Sequence, residues 1–365
     1  MMKHNEPAGN DSLLAQDYSQ LLPDTVIDAV ESMGFLSDAR IMALNSYENR
    51  VYQVGIDEPI TTNSADRTIP ETQPSPIIAK FYRPNRWTDE QILEEHQFTL
   101  QLQAMDIPAV PPLQFYNNPD ESGVHCSSTL FRFGGYRFAL FPRHGGRAPE
   151  LSQPDHLYRL GKYIGRIHAV GKISTFKYRP TVTIQAYVTS PSRYLLENHF
   201  IPAEYAHSYR SIIIDLLQYI ESRYQTADFK LLRLHGDCHP GNILWTDQGP
   251  HFVDFDDSRT GPAIQDLWML LSGEQQEQQP QLKKILQGYE EFCDFDYREL
   301  QLIEVLRTMR IIHYAGWLAR RWDDPAFPLA FPWFNTPTYW GEHILQLKEQ
   351  LAALQEPGLQ IHGVL

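Results

Sequence analysis

Residues 234–244 read LHGDCHPGNIL, and residues 252–256 read FVDFD. Asp237 and Asp254 stand 17 positions apart, room for a loop and a tight hairpin. Thr246, Asp247, Gln248 and Gly249 supply the turn chemistry of that hairpin. The spacing predicts that the hairpin brings Asp254 beside Asn242. Singly, the two aspartates read as turn or cap residues and the asparagine as a loop residue. Together, with His-Gly ahead of the first aspartate and apolar residues on both sides, they form a set.

Such a set suits phosphoryl transfer, which asks the protein for magnesium on the phosphates, an oriented acceptor hydroxyl and charge compensation. Asp237 takes or orients the acceptor proton. Asn242 offers a neutral oxygen to Mg²⁺, and Asp254 a carboxylate to the same metal, bridging it to the β- and γ-phosphates of ATP. Hard oxygen ligands with phosphate completing the shell are what magnesium prefers.

Outward from this segment the pattern divides. Pro23 and Asp24 open a helix, and residues 40–56 alternate like a strand around a turn at 45–50. A loop is predicted at 57–76, then a short strand at 77–82 carrying Lys80, then a helix capped by Thr88. Two more strands are expected at 110–115 and 136–141, and a break at Pro142, His144, Gly145 and Gly146. Beyond it helical spacing dominates, with a long helical pattern over 299–322. The expected divisions are a polar extension at 1–22, a strand-rich lobe at 23–142 and a helical lobe at 143–365.

Composition narrows the functional classes. The 365 residues are 42% hydrophobic and 12% aromatic, which fits a globular chain. A net charge of -14 argues against a sequence-independent nucleic-acid binder. Cys126, Cys238 and Cys293 form no CxxC pair, so neither a zinc site nor a disulfide framework is expected. No signal peptide and no bilayer-spanning run is read, which predicts a soluble, cytoplasmic protein without membrane partners.

HGD-x4-N followed by VDFD resembles the aminoglycoside phosphotransferase and choline kinase branch of the kinase-like fold. ALNSYENRVYQV, IIAKFYRPNRWT, EQILEEHQF, LRLHGDCHPGNILW and GPAIQDLWMLLSG resemble, more closely, bacterial stress-response protein serine/threonine kinases of that family. The resemblance runs from about residue 23 to about residue 358; the polar extension and the loops at 57–76 and 117–130 depart from it. It implies an α+β, two-lobed protein-kinase-like fold, ATP as co-substrate with Mg²⁺, and a protein Ser/Thr acceptor. It implies further that Ser46 contacts ATP, although the segment at 45–49 lacks the glycines of a GxGxxG loop. A monomer is expected.

Lys80 sits mid-strand among apolar residues, costly unless paired or ligand-bound. One reading is contact with the α/β-phosphates, held by a helix glutamate; the other is a surface lysine on a strand edge. Of Glu94 and Glu95, the related pattern favours Glu95 as the partner. Residues 138–142 are expected to join the lobes and meet the adenine edge. Asp266 is read as pinning the backbone of the catalytic loop, and His235 as fixing that loop. His239 is a candidate to face the substrate. For Asp256 and Asp257, hairpin-end solvation is the favoured reading over a second metal site. A redox role for Cys238 is weak, because the neighbouring carboxylate raises its pKa. Arg307, Arg310, Arg320 and Arg321 could steer an acidic acceptor, but a solvated or salt-bridged helix face is the stronger reading. Glycine rather than arginine before Asp237 predicts no switching by phosphorylation of residues 255–265. Two rival functions remain: a kinase of an amino alcohol, sugar or aminoglycoside, and a non-catalytic pseudokinase.

Overall fold

The computed structural model describes residues 17–59, 76–116 and 127–361. Cys126, most of the polar extension and most of the two expected loops lie outside them. The chain divides into two compact units, one up to Gly146 and one from Arg147 onward.

The first unit opens with α1 (Pro23–Glu31), where Pro23 tolerates the first helical turn and Asp24 meets its unpaired amides. Val26, Ala29 and Val30 give the helix its buried side. An antiparallel sheet follows in the order β1-β2-β3-β7-β6. Its strands are β1 (Phe35–Ala43), β2 (Arg50–Pro59), β3 (Ile77–Phe81), β6 (Phe131–Phe133) and β7 (Tyr136–Pro142). β1 starts earlier and β2 ends later than the alternation at 40–56 suggests, since the pairing of Phe35 with Pro59 extends the ladder.

Because β3 pairs with β2 on one side and β7 on the other, the strand-edge reading of Lys80 fails. Its Cα partners are Val51 and Ala139. Helix α2 (Asp89–Ala104) is capped reciprocally by Thr88 and Gln91.

The strand expected at 110–115 reduces to β4 (Phe115–Tyr116), paired with β5 (Ser127–Ser128) inside the stretch expected to be loop. Pro108, Pro111 and Pro112 lack the amide hydrogens a ladder needs. Leu113 N still donates to Leu140 O at 2.7 Å, tying the segment to β7.

In the second unit, α3 (Pro154–Gly171) lies against α6 (Gln275–Tyr289). A Cβ on Gly161 would stand 1.9 Å from the Ile285 carbonyl oxygen, so only glycine permits this approach. A π-helical turn (Gln185–Thr189) leads into α4 (Ser190–Glu197), and α5 (Ala203–Thr226) follows. The pattern over 299–322 resolves into a tight helical turn at Tyr297–Leu302 and then α7 (Ile303–Arg320). The unit closes with α8 (Ala326–Ala330) and α9 (Pro337–Gln355).

Short strands frame the segment between these helices. β8 (Leu232–Leu234) pairs with β11 (Arg259–Gly261), bringing Leu234 opposite Arg259. Nested between them is the hairpin of β9 (Ile243–Thr246) and β10 (Gly249–Phe252). The frame holds both ends of the stretch that carries Asp237, Asn242 and Asp254. Among the described residues, no helix is long and apolar enough to cross a membrane.

Candidate active site

The loop after β8 is fixed from beneath by one carboxylate. Asp266 is fully buried, and its two oxygens accept from the backbone amides of His235 and Gly236, each at 2.8 Å. His168 of α3 lies 3.0 Å from Asp266 on one ring nitrogen and 3.0 Å from the Tyr289 hydroxyl of α6 on the other. The backbone-pinning reading of Asp266 describes this geometry. Glu299 accepts from Ile264 N at 2.9 Å, holding the turn that bears Asp266. Burial pushes the Glu299 carboxyl up to about 7.

Gly236 has φ of +87°, and a Cβ there would lie 2.1 Å from the Asp257 carbonyl oxygen. Both the left-handed backbone and the contact require glycine. His235 ties the loop to the second motif: its Nε2 donates to Val253 O at 2.9 Å. Its ring lies 4.4 Å from that of Phe255.

The loop then closes on itself. The Asp237 carbonyl accepts from His239 N at 2.9 Å and from the Asn242 side-chain amide at 3.0 Å. Spending its N–H on the loop leaves the Asn242 amide oxygen as an acceptor. Val253 N donates to Asn242 O at 3.0 Å, which sets Asp254 next to the asparagine strand. Asp254 itself is exposed and has φ of 57°, a left-handed conformation that a non-glycine residue adopts at some cost.

Both oxygens of Asp237 are engaged. Oδ2 faces His239 Nε2 at 3.5 Å, and Oδ1 is bonded by the Arg310 guanidinium of α7. Gly241 N donates to His239 Nδ1 at 3.0 Å, so Nδ1 is the unprotonated nitrogen and Nε2–H faces the carboxylate. Burial pushes the Asp237 carboxyl up, but the His239 hydrogen bond and the Arg310 charge outweigh it and hold the carboxyl below its ordinary range. Arg310, one of the four arginines read as a solvated or salt-bridged helix face, is salt-bridged, and its partner is Asp237. It lies 73 positions from Asp237, and no local pattern links the two.

Three further expectations need correction or refinement. Asp256 is buried, not solvated at a hairpin end, because the chain turns inward after Asp254. Asp257 is ion-paired to Arg259 at 2.6 Å. The Cys238 thiol is pushed well up chiefly by burial, and only secondarily by Asp266 and Asp237.

In the first unit Lys80 and Glu95 are both buried, whereas Glu94 is half-buried. The Lys80 ammonium lies 5.3 Å from the centre of the Tyr82 ring. Ser46 is half-buried in the turn between β1 and β2. That turn dispenses with glycine because its backbone is held from outside. Arg83 donates to the carbonyls of Glu48 at 2.8 Å and Tyr47 at 3.0 Å, while Asn49 Oδ1 accepts from Arg83 N at 3.1 Å.

The oxygen set at Asn242 and Asp254 fits a magnesium ion. An amide oxygen and a carboxylate are hard donors of the kind magnesium takes, with phosphate and water completing a shell. Among the described residues, no cluster of three or more His, Cys, Asp or Glu side chains is arranged as a self-sufficient metal cage.

Residues 40–303 match the model of the phosphotransferase enzyme family named APH. The chain belongs to this phosphotransferase family. Relatives span nearly the whole length: stress response kinase A of Escherichia coli is 43% identical over 94% of this chain and 97% of its own. The serine/threonine protein kinase RdoA of Salmonella typhimurium is 42% identical over the same shares. Among solved structures, the amicoumacin kinase hAmiN superposes with a TM-score of 0.63 at 16% identity, covering 91% of this chain and 94% of that one. A microcompartment-associated aminopropanol kinase gives 0.60 at 14%, covering 90% and 96%. At such identities these two establish the kinase-like α+β fold of this family member. As a phosphotransferase of this family the chain is a kinase.

Proposed function

We propose that the chain is an ATP- and magnesium-dependent protein serine/threonine kinase acting in a bacterial stress response. The observation that supports it most is the loop in which Asp237 and Asn242 are held by dedicated hydrogen bonds and Val253, next to Asp254, is tied to Asn242, in a chain 43% identical to a stress response kinase. A pseudokinase would have no use for that precision.

Asp237 orients the acceptor hydroxyl and takes its proton. The acceptor oxygen forms a bond to the γ-phosphorus as the bond from that phosphorus to the β,γ-bridging oxygen breaks, and ADP leaves with the electron pair. Asn242 and Asp254 hold magnesium, which when bound neutralises charge on the β- and γ-phosphates. Lys80 meets the α/β-phosphates and Glu95 fixes its ammonium; their joint burial supports this, since each buried charge needs an opposite one. Ser46 adds a hydroxyl donor to the nucleotide.

The test is transfer from γ-labelled ATP with magnesium, products resolved by size. Label on a generic protein acceptor or on the kinase itself agrees with the proposal. Label only on small hydroxyl compounds would replace it with a small-molecule kinase.

A further inference from the structure

The acceptor side of Asp237 is lined by arginine rather than by free carboxylates. Arg310 bonds Asp237 Oδ1, and its side chain is 39% exposed. One turn along α7, His313 stacks on Tyr187 of the π-helical turn at 4.5 Å between ring centres. Arg259 lies over the other partner of that stack, 5.3 Å from the Tyr187 ring centre, and pairs with Asp257 at 2.6 Å. Two guanidinium groups thus match two carboxylates around the base. Burial and the neighbouring arginines hold His313 down to about 3, so it adds no charge.

This balance changes when an acceptor binds. The hydroxyl must approach a carboxylate whose Oδ1 is bonded by Arg310, so it arrives beside that guanidinium. Among the described residues, Asp237 is the only side chain to which Arg310 is bonded. With five N–H donors in a planar fork, the part-exposed guanidinium keeps donors beyond the one spent on Asp237. A cationic acceptor meets repulsion from that guanidinium, whereas an anionic group beside the hydroxyl pairs with it.

We infer that Arg310 determines acceptor specificity by binding a carboxylate or phosphate beside the reacting hydroxyl, which directs transfer to serine or threonine with acidic flanks. This rests on Asp237 being the base. A net charge of -14 on the whole chain does not oppose it, because selection is made within a few ångströms of the hydroxyl rather than by the distant field.

The experiment uses the full chain with MgATP and two matched acceptor pairs. One pair is serine peptides flanked by Glu or by Lys; the other is a small hydroxy acid and a small amino alcohol. The wild type is expected to favour the anionic member by about tenfold or more in kcat/KM in whichever pair it phosphorylates. Arg310→Glu should reverse that order, chiefly through KM, and Arg310→Lys should keep it. Arg310→Gln, which adds no like charge beside Asp237, should abolish the preference and serves if the reversal variant fails to fold.

An order unchanged in both Arg310→Glu and Arg310→Gln, or a wild type that favours the cationic member, overturns the inference. The underlying reading is tested separately by Asp237→Ala. Loss of transfer in that variant with an unchanged order in the Arg310 variants removes the inference alone. Retained transfer removes both.

Discussion

At the scale of single residues, Gly236 shows how the backbone dictates the motif. Any side chain there is driven into the Asp257 carbonyl, 2.1 Å from where its Cβ would stand. Gly236→Ala should therefore cost at least about 3 kcal/mol of stability in a denaturant titration, through strain and steric overlap together. The same contact explains glycine where other kinases place arginine. Asp237→Asn keeps the shape and the His239 and Arg310 neighbours but cannot accept a proton. Its turnover should fall by a factor of about 10²–10⁴ with the fold unchanged by circular dichroism. The adjacency of Asn242 and Asp254 was legible because both lie on one short hairpin, where spacing alone fixes neighbours. Arg310 was not, because an ion pair across 73 positions depends on how α7 packs.

At the scale of elements, the turn bearing Asp266 couples the helices to the catalytic loop. Asp266→Ala leaves the His235 and Gly236 amides buried without acceptors and should destabilise the chain by about 3–5 kcal/mol. Asp266→Asn retains an acceptor for one of them and should lose less. Glu299 holds the same turn, and its carboxyl titrates at about 7 against an ordinary value of 4.5. Between those values the folded chain binds the proton more tightly than the unfolded one. Stability from this group is thus full at low pH and is lost as pH rises through the folded pKa. Glu299→Gln should remove that loss, raising stability near pH 8 by up to about 3 kcal/mol while changing little near pH 4, measured by thermal melts across pH. The pinning by Asp266 was read from the resemblance, whereas the part of Glu299 has no sequence signature, since its partner Ile264 lies 35 positions away. Capping at Thr88 and the Lys80 strand were readable from local rules. The strand expected at 110–115 shrank to its last residue because Pro111 and Pro112 outweigh its apolar content.

At the scale of the molecule, the order of a strand-rich unit followed by a helical one was legible in hydrophobic period alone. What composition could not supply was acceptor chemistry: a total charge of -14 suits a cationic acceptor, whereas the groups bonded to the Asp237 carboxylate are Arg310 and His239. Local pairing decides at contact distance, and the global field acts mainly on encounter. The most direct test separates the two proposed aspartate roles by calorimetric titration with MgATP alongside single-turnover transfer. Asp237→Ala should bind MgATP as the wild type does and transfer nothing measurable, while Asp254→Ala should lose the magnesium-dependent part of that affinity. Undiminished transfer by either variant would contradict the assignment of base and metal ligand.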